Sequence, residues 1–72
     1  MRANITFKDL QINAVEVSSI TEHIFSVKVD TDFPPILIKA LADAKVSISF
    51  YTSFINLIFD RKDITEYELY RF

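Results

Sequence analysis

Glycine is absent from this chain of 72 residues, although an average composition would supply about five. Glycine reaches positive φ without a steric penalty, so its absence disfavours tight primed hairpin turns and left-handed helix C-caps. It also removes the phosphate-binding loops, dinucleotide fingerprints and nucleophile elbows that contain obligatory glycines. Enzymes that depend on those motifs are therefore excluded.

Cysteine is absent as well, and His23 is the only histidine, so neither a disulfide nor a zinc tetrad can form. Carboxylates are the remaining metal ligands, and they include two close pairs: Asp30 with Asp32, and Asp60 with Asp63. Neither pair continues into a calcium loop, whose sharp turn needs glycine. We expect Asp32 to cap a helix, and Asp60 and Asp63 to belong to a turn. The sequence thus predicts no metal site and no cofactor.

Glu22 precedes His23, and a histidine beside a carboxylate can act as a general base. Successive residues of a strand point to opposite faces, however, so Glu22 is a poor orienting group for His23. The serine and threonine hydroxyls of the chain also lack a nearby base. We predict a partly exposed strand histidine, no catalytic residue and no enzymatic activity.

Charge of one sign is not concentrated anywhere, because eight Lys and Arg residues are interspersed with ten Asp and Glu residues, for a formal net charge of −2. A nucleic-acid reader normally shows a basic stripe. The N-terminus lacks the apolar segment of a signal peptide, and no apolar run approaches the roughly 18 residues of a membrane span. These features predict a cytoplasmic protein. A hydrophobic content of 50% predicts that residues 1–72 fold as a single domain.

Near the N-terminus apolar residues alternate with polar ones, at Ile5 and Phe7 and then at Leu10, Ile12 and Ala14. The phase of this alternation shifts by one across Lys8 and Asp9. The pattern predicts one bulged strand. Two short strands that turn at Lys8-Asp9 are the alternative, which the missing glycine disfavours.

A polar segment at residues 18–22 predicts a loop, and the alternation of Phe25, Val27 and Val29 with polar residues predicts the next strand. These two strands are expected to form a hairpin with a loop of about four or five residues.

Thr31 or Asp32 is a candidate cap for a helix that starts at the prolines which follow. One apolar stripe at helical spacing supports this helix; its members are Phe33, Ile36, Leu37, Ala40, Leu41 and Ala44. Ile38 and Ala42 lie off the stripe, which indicates contact on a second side.

Residues 45–60 are the most β-prone part of the chain, but their alternation changes phase near residues 51–53. Either two strands turn there or one long strand bulges, and the missing glycine favours a bulge or a loose turn. A turn at residues 60–63 follows, and then a last strand at residues 64–72, in which Tyr67 and Leu69 alternate with Glu66 and Glu68. The sequence therefore predicts an α+β fold: a small, mostly antiparallel sheet of four or five strands with one helix packed on one face, in the order β-β-α-β-β with a possible extra strand near Tyr51.

Seven of the ten aromatic residues lie between Phe50 and Phe72. If Phe50 and Phe59 are buried under the helix, Tyr51, Tyr70 and Phe72 lie on the other face of the sheet. Tyrosine is enriched in protein interfaces. We therefore predict a surface that binds another protein, with six candidate residues: Tyr51, Phe54, Tyr67, Tyr70, Arg71 and Phe72.

These observations favour a non-enzymatic protein-protein interaction module that binds a larger protein partner, whose terminal strand offers an edge for self-association into a homo-oligomer such as a homodimer. Its size and lack of catalytic machinery are typical of regulators and inhibitors carried by phages and other mobile elements. The alternative is a nucleic-acid-binding sheet, in which Tyr51, Tyr67 and Tyr70 stack on bases beside Arg61, Lys62 and Arg71.

Overall fold

The computed structural model describes residues 1–71. These residues form six strands and one helix, which follow one another along the chain as β1 (Arg2–Phe7), β2 (Leu10–Ile20), β3 (Ile24–Val29), α1 (Pro35–Asp43), β4 (Ser47–Phe50), β5 (Ile55–Asp60) and β6 (Ile64–Tyr70). The strands form one sheet in the order β4-β5-β3-β2-β1-β6, and every neighbouring pair is antiparallel. The predicted α+β fold with one helix is confirmed, whereas the prediction of four or five strands was too low.

The sheet is curled, and its concave face carries the core. The rings of Phe7 on β1 and Phe59 on β5 are 5.1 Å apart, and those of Phe25 on β3 and Tyr67 on β6 are 5.2 Å apart. Each pair joins strands three positions apart in the sheet, which a flat sheet would separate by about 14 Å. The concave face is therefore folded toward itself, and Leu41 of the helix is fully buried in the same core.

Two bulges in β2 help to bend the sheet. Asn13 and Ala14 together face the single residue Asn4 of β1, and Ser18 is an extra residue opposite β3. Ala14 has φ = 58°; its N–H donates to Asn4 Oδ1 at 2.9 Å, and its carbonyl accepts from Arg2 Nη1 at 3.0 Å. The predicted alternation through Ala14 was thus wrong, because the first bulge turns Ala14 outward and brings the next residue into the core.

Lys8 and Asp9 form a tight turn between two strands. The prediction of a bulge in one long strand, which the missing glycine favoured, was therefore wrong. Phe7 of β1 pairs with Leu10 of β2, so the two residues between them make a two-residue hairpin. Lys8 has φ = 54°, the positive φ that glycine usually supplies at a central position of such a turn. The shift of phase arises from the turn itself, because paired residues of a hairpin point to the same face.

The second change of phase, at residues 51–54, is a loose turn between two strands. Phe50 pairs with Ile55, and the Tyr51 N–H donates to the Phe54 carbonyl at 2.9 Å. The predicted loose turn is confirmed, and residues 45–60 contain two strands. These two turns account for the strands missed by the sequence reading.

The helix begins at the predicted prolines but without a side-chain cap. Its N-cap is Pro34, and neither Thr31 nor Asp32 bonds to its first turn. The backbone instead makes a turn before the helix, with the Phe33 N–H donating to the Asp30 carbonyl at 3.0 Å. A proline N-cap followed by a proline at N1 replaces the hydroxyl or carboxylate cap, since proline already holds a helix-compatible φ.

The buried face of the helix keeps Leu41 and Ala44 of the predicted stripe but not Ile36. Ile36, on that stripe, is 77% exposed, whereas Ile38, off it, packs against the core beside Leu41. The helix ends in a Schellman motif, with the Val46 N–H bonded to the Leu41 carbonyl and the Lys45 N–H bonded to that of Ala42. Lys45 has φ = 68°, in the position that glycine usually occupies.

Candidate interaction surface

The edge strand β6 is the first candidate surface. Tyr67 and Leu69 alternate with Glu66 and Glu68, as the sequence predicted, and β6 pairs with β1 through Ile5↔Tyr67 and its neighbours. Within residues 1–71 no strand pairs with the other side of β6. An edge strand of this kind presents unpaired backbone N–H and carbonyl groups to a partner.

On the concave side of the edge, Tyr67 and Leu69 are partly exposed, at 39% and 40%. Tyr67 is held from two directions: its ring meets the Phe25 ring edge-on at 5.2 Å, and its hydroxyl accepts a hydrogen bond from Arg61 Nη2 at 3.1 Å. Arg61 also donates to the Thr21 carbonyl at 2.9 Å. The tyrosine is therefore a fixed and exposed apolar platform at the edge.

On the convex side of the edge, Glu66 and Glu68 are both exposed. Their partners across β1 are the neutral residues Thr6 and Asn4, and a shallow cleft of about 140 Å³ lies among these side chains. Among the described residues neither carboxylate makes a hydrogen bond or an ion pair. The edge therefore carries uncompensated negative charge on one face and apolar surface on the other.

A second candidate surface lies on the convex face, where three charged residues on neighbouring strands form a row. Lys28 pairs with Glu16, and Glu16 pairs with Arg2. Two adjoining open clefts, of about 410 and 460 Å³, share Arg2 and Glu16; Phe54 lines the first cleft and Arg71 the second. We call Lys28, Glu16 and Arg2 the charged row.

An aromatic pair ends the charged row on the side of β5. The rings of Tyr51 and Phe54 stack at 4.7 Å, and Lys28 Nζ lies 4.8 Å from the centre of the Phe54 ring. Tyr51 is 56% exposed. At the other end of the row Arg2 pairs across the strands with Tyr70.

The structure divides the predicted binding residues among several places. Tyr51 and Phe54 lie together in the β4–β5 loop, Tyr67 lies on the concave side of β6, and Tyr70 and Arg71 lie near Arg2. Phe72 lies outside the described residues. Phe59 is buried as predicted, but Phe50 is 68% exposed on the edge strand β4 and not under the helix.

Sequence reasoning missed the residues that give these surfaces their charge. Glu66 and Glu68 had a visible signal, since their alternation with Tyr67 and Leu69 already placed them on one face of the last strand. Lys28 and Arg2 had none, because their place in one row depends on the register of two strand pairs.

His23 lies exposed in the connection between β2 and β3 and not in a strand as predicted. The pairing of Ile20 with Phe25 leaves a loop of the predicted length, at residues 21–24 and not at 18–22. Thr21 shapes this loop, because its hydroxyl oxygen accepts from the backbone N–H groups of His23 and Ile24 at 3.2 and 3.1 Å. Asp60 and Asp63 flank Arg61 and Lys62 at the 3₁₀ turn Arg61–Asp63, as predicted for a turn. No group of three or more potential metal ligands occurs in the described part of the chain.

Comparison with protein-family models, with curated proteins and with solved structures found no match for this chain. Between residues 1 and 71 no helix is long and apolar enough to cross a membrane.

Proposed function

We propose that this protein is a non-enzymatic binding module that takes an extended segment of a larger protein onto the outer edge of β6. The observation that carries the proposal is the free edge of β6 with the partly exposed Tyr67 and Leu69 beside it. In strand addition, backbone hydrogen bonds supply affinity and alternate side chains supply specificity. The preformed strand lowers the ordering cost on the side of the module.

The test is a selection of displayed random peptides of about nine residues, long enough to span one edge strand. Recovered peptides should bind the protein and lose affinity for Leu69→Lys, which places a charge beside the bound strand. Ile36→Lys is the matched control, because it makes the same change at an exposed position of the helix. Recovered peptides that bind Leu69→Lys and the unchanged protein equally would contradict the proposal.

The finer parts of the proposal concern how such a module is used. By covering a strand or edge that a larger protein needs, a chain of 72 residues acts as a regulator or inhibitor, and we place this role in the cytoplasm. Carriage by a phage or another mobile element belongs to the same proposal. The genes that neighbour the coding sequence test it, since a chromosomal neighbourhood without mobile-element genes would argue against that origin.

Self-association stays a prediction. Antiparallel pairing of two β6 edges centred on Tyr67 would set Glu66 of each copy opposite Glu68 of the other, and like charges directly opposite are destabilising. A homodimer would therefore use another register or another surface. A mass of one chain in light scattering at micromolar concentration would contradict self-association.

Binding of single-stranded nucleic acid is the second candidate. The exposed ring of Tyr51, stacked on Phe54, lies beside Lys28, and the charged row continues from Lys28 to Arg2. Stacking platforms flanked by cations are how such proteins hold bases and phosphates. The negative charge of Glu16, in the same row, disfavours nucleic-acid binding because it repels phosphates. Fluorescence anisotropy with single-stranded oligonucleotides should show binding that weakens steeply with salt; no binding at low salt would exclude this candidate.

A further inference from the structure

We propose, on the basis of the strand-addition function above, that the β6 edge selects a segment in which Lys or Arg residues alternate with apolar residues. The alternation follows from the two faces of β6. In an antiparallel sheet the side chains of an added strand alternate between the same two faces as those of its neighbour. One set of partner side chains therefore meets Glu66 and Glu68, and the other set meets Tyr67 and Leu69.

The cationic half of the pattern rests on the two glutamates. Both are exposed, lie on the same face and have no ion pair or hydrogen bond within residues 1–71. Their neighbours on the other side, Thr6 and Asn4, are neutral. A partner strand on the outer edge is thus the position from which two cations can neutralise them, and electrostatic complementarity of this kind sets partner choice and register.

The apolar half of the pattern rests on the concave side. Tyr67 and Leu69 pair with Ile5 and Ala3, which are buried, and both keep part of their surface exposed. Arg61 and Phe25 fix the tyrosine ring, so little side-chain entropy is lost when a partner covers it. Apolar partner side chains at alternate positions would extend the core by one strand.

The experiment measures the affinity of three synthetic peptides by fluorescence anisotropy at low salt. One alternates Lys and Val, one alternates Glu and Val, and one has the composition of the first with its lysines and valines in separate blocks. The alternating lysine peptide should bind at least about fivefold more tightly than either other peptide, as expected for two exposed ion pairs in register. Equal binding of the two alternating peptides would overturn the charge selection.

Charge reversal supplies the matched variants. Glu66→Lys with Glu68→Lys should reverse the order of the alternating lysine and glutamate peptides. Glu22→Lys with Asp32→Lys makes the same change in net charge at exposed residues outside the strands, and should keep the original order. A reversal by the control pair as well would show that net charge and not the β6 edge selects the peptide.

Backbone methylation separates failure of this inference from failure of strand addition itself. Two versions of the lysine peptide are methylated on the backbone nitrogens of alternate residues. The two phases are methylation at the odd-numbered positions and methylation at the even-numbered positions. Only one phase should abolish binding, because an added strand directs every second N–H toward its neighbour. Phase-dependent binding without preference for lysine would leave strand addition standing and overturn the charge selection. Binding by no peptide, or loss that is equal in both phases, would overturn both.

Discussion

Within residues 1–71, three residues without glycine's freedom occupy left-handed backbone. Lys8, Ala14 and Lys45 have φ values of 54°, 58° and 68°, and each completes a feature that usually employs glycine: a two-residue turn, a bulge and a Schellman motif. Each carries a steric cost of about 1–2 kcal/mol. Hydrogen bonds around these residues offset that cost, which is clearest at Ala14.

Glycine at two of these positions should therefore stabilise the protein. Ala14→Gly and Lys45→Gly are each expected to raise the free energy of unfolding by about 0.5–1 kcal/mol, because relief of the left-handed strain exceeds the added flexibility of the unfolded chain. Chemical denaturation measures the change. Ala42→Gly, at an exposed position inside the helix, is the control and should lower stability by about 0.5–1 kcal/mol. A loss of stability at Ala14 or Lys45 equal to that at Ala42 would contradict the assigned backbone.

The Asn4 side chain is expected to stabilise the bulge of β2 at Ala14. Asn4→Ala removes the acceptor of the Ala14 N–H and is expected to lower the free energy of unfolding by about 1 kcal/mol. Asn13→Ala removes a neighbouring exposed amide that makes no hydrogen bond within the described residues, and its effect should stay within about 0.5 kcal/mol. Equal effects of the two variants in chemical denaturation would refute the role given to Asn4.

At the scale of elements, the helix shows why a periodic stripe is an incomplete guide. Ile36 and Ile38 are both apolar and two positions apart, so the helix offers more apolar surface than one face can hold. Packing decides between them, since the curled sheet receives Ile38 and Leu41 and leaves Ile36 in solvent. The stripe predicted the helix and the burial of Leu41 correctly, but it placed Ile36 on the buried face where the structure has Ile38.

Matched truncations test the assignment of Ile38 to the core and of Ile36 to the solvent. Ile38→Ala is expected to lower the free energy of unfolding by about 1–3 kcal/mol, because it removes core contacts of a partly buried side chain. Ile36→Ala should change it by less than about 0.5 kcal/mol or stabilise slightly, since alanine is the better helix former. Thermal or chemical denaturation provides both values, and a larger loss for Ile36→Ala would restore the stripe predicted from the sequence.

Strands with a plain alternation were predictable, and strands joined by tight turns were not. Phe25, Val27 and Val29 marked β3 correctly, as Tyr67 and Leu69 marked β6. The separation of β1 from β2 was lost because the turn at residues 8–9 uses a lysine where glycine is the usual residue. Absence of glycine raises the cost of such a turn without forbidding it, and the strand pairing on either side stabilises it.

At the scale of the whole molecule, the candidate surfaces depend on curvature that no local pattern encodes. Tyr51 and Tyr67 were both predicted as exposed aromatic residues, yet Tyr51 stacks in a loop beside the convex face and Tyr67 meets Phe25 on the concave one. The sequence therefore predicted that Tyr51 and Tyr67 are exposed, but not on which face of the sheet each of them lies.

Amide hydrogen exchange along β6, with and without the alternating lysine and valine peptide, tests strand addition most directly. If a partner strand pairs with this edge, alternate amides of Ile64–Tyr70 should exchange more slowly when the peptide is bound, because their outward N–H groups become hydrogen-bonded. The opposite edge, β4, should not change. Unchanged exchange along β6, or slowing confined to residues 51–54 and Lys28, would contradict binding at the β6 edge.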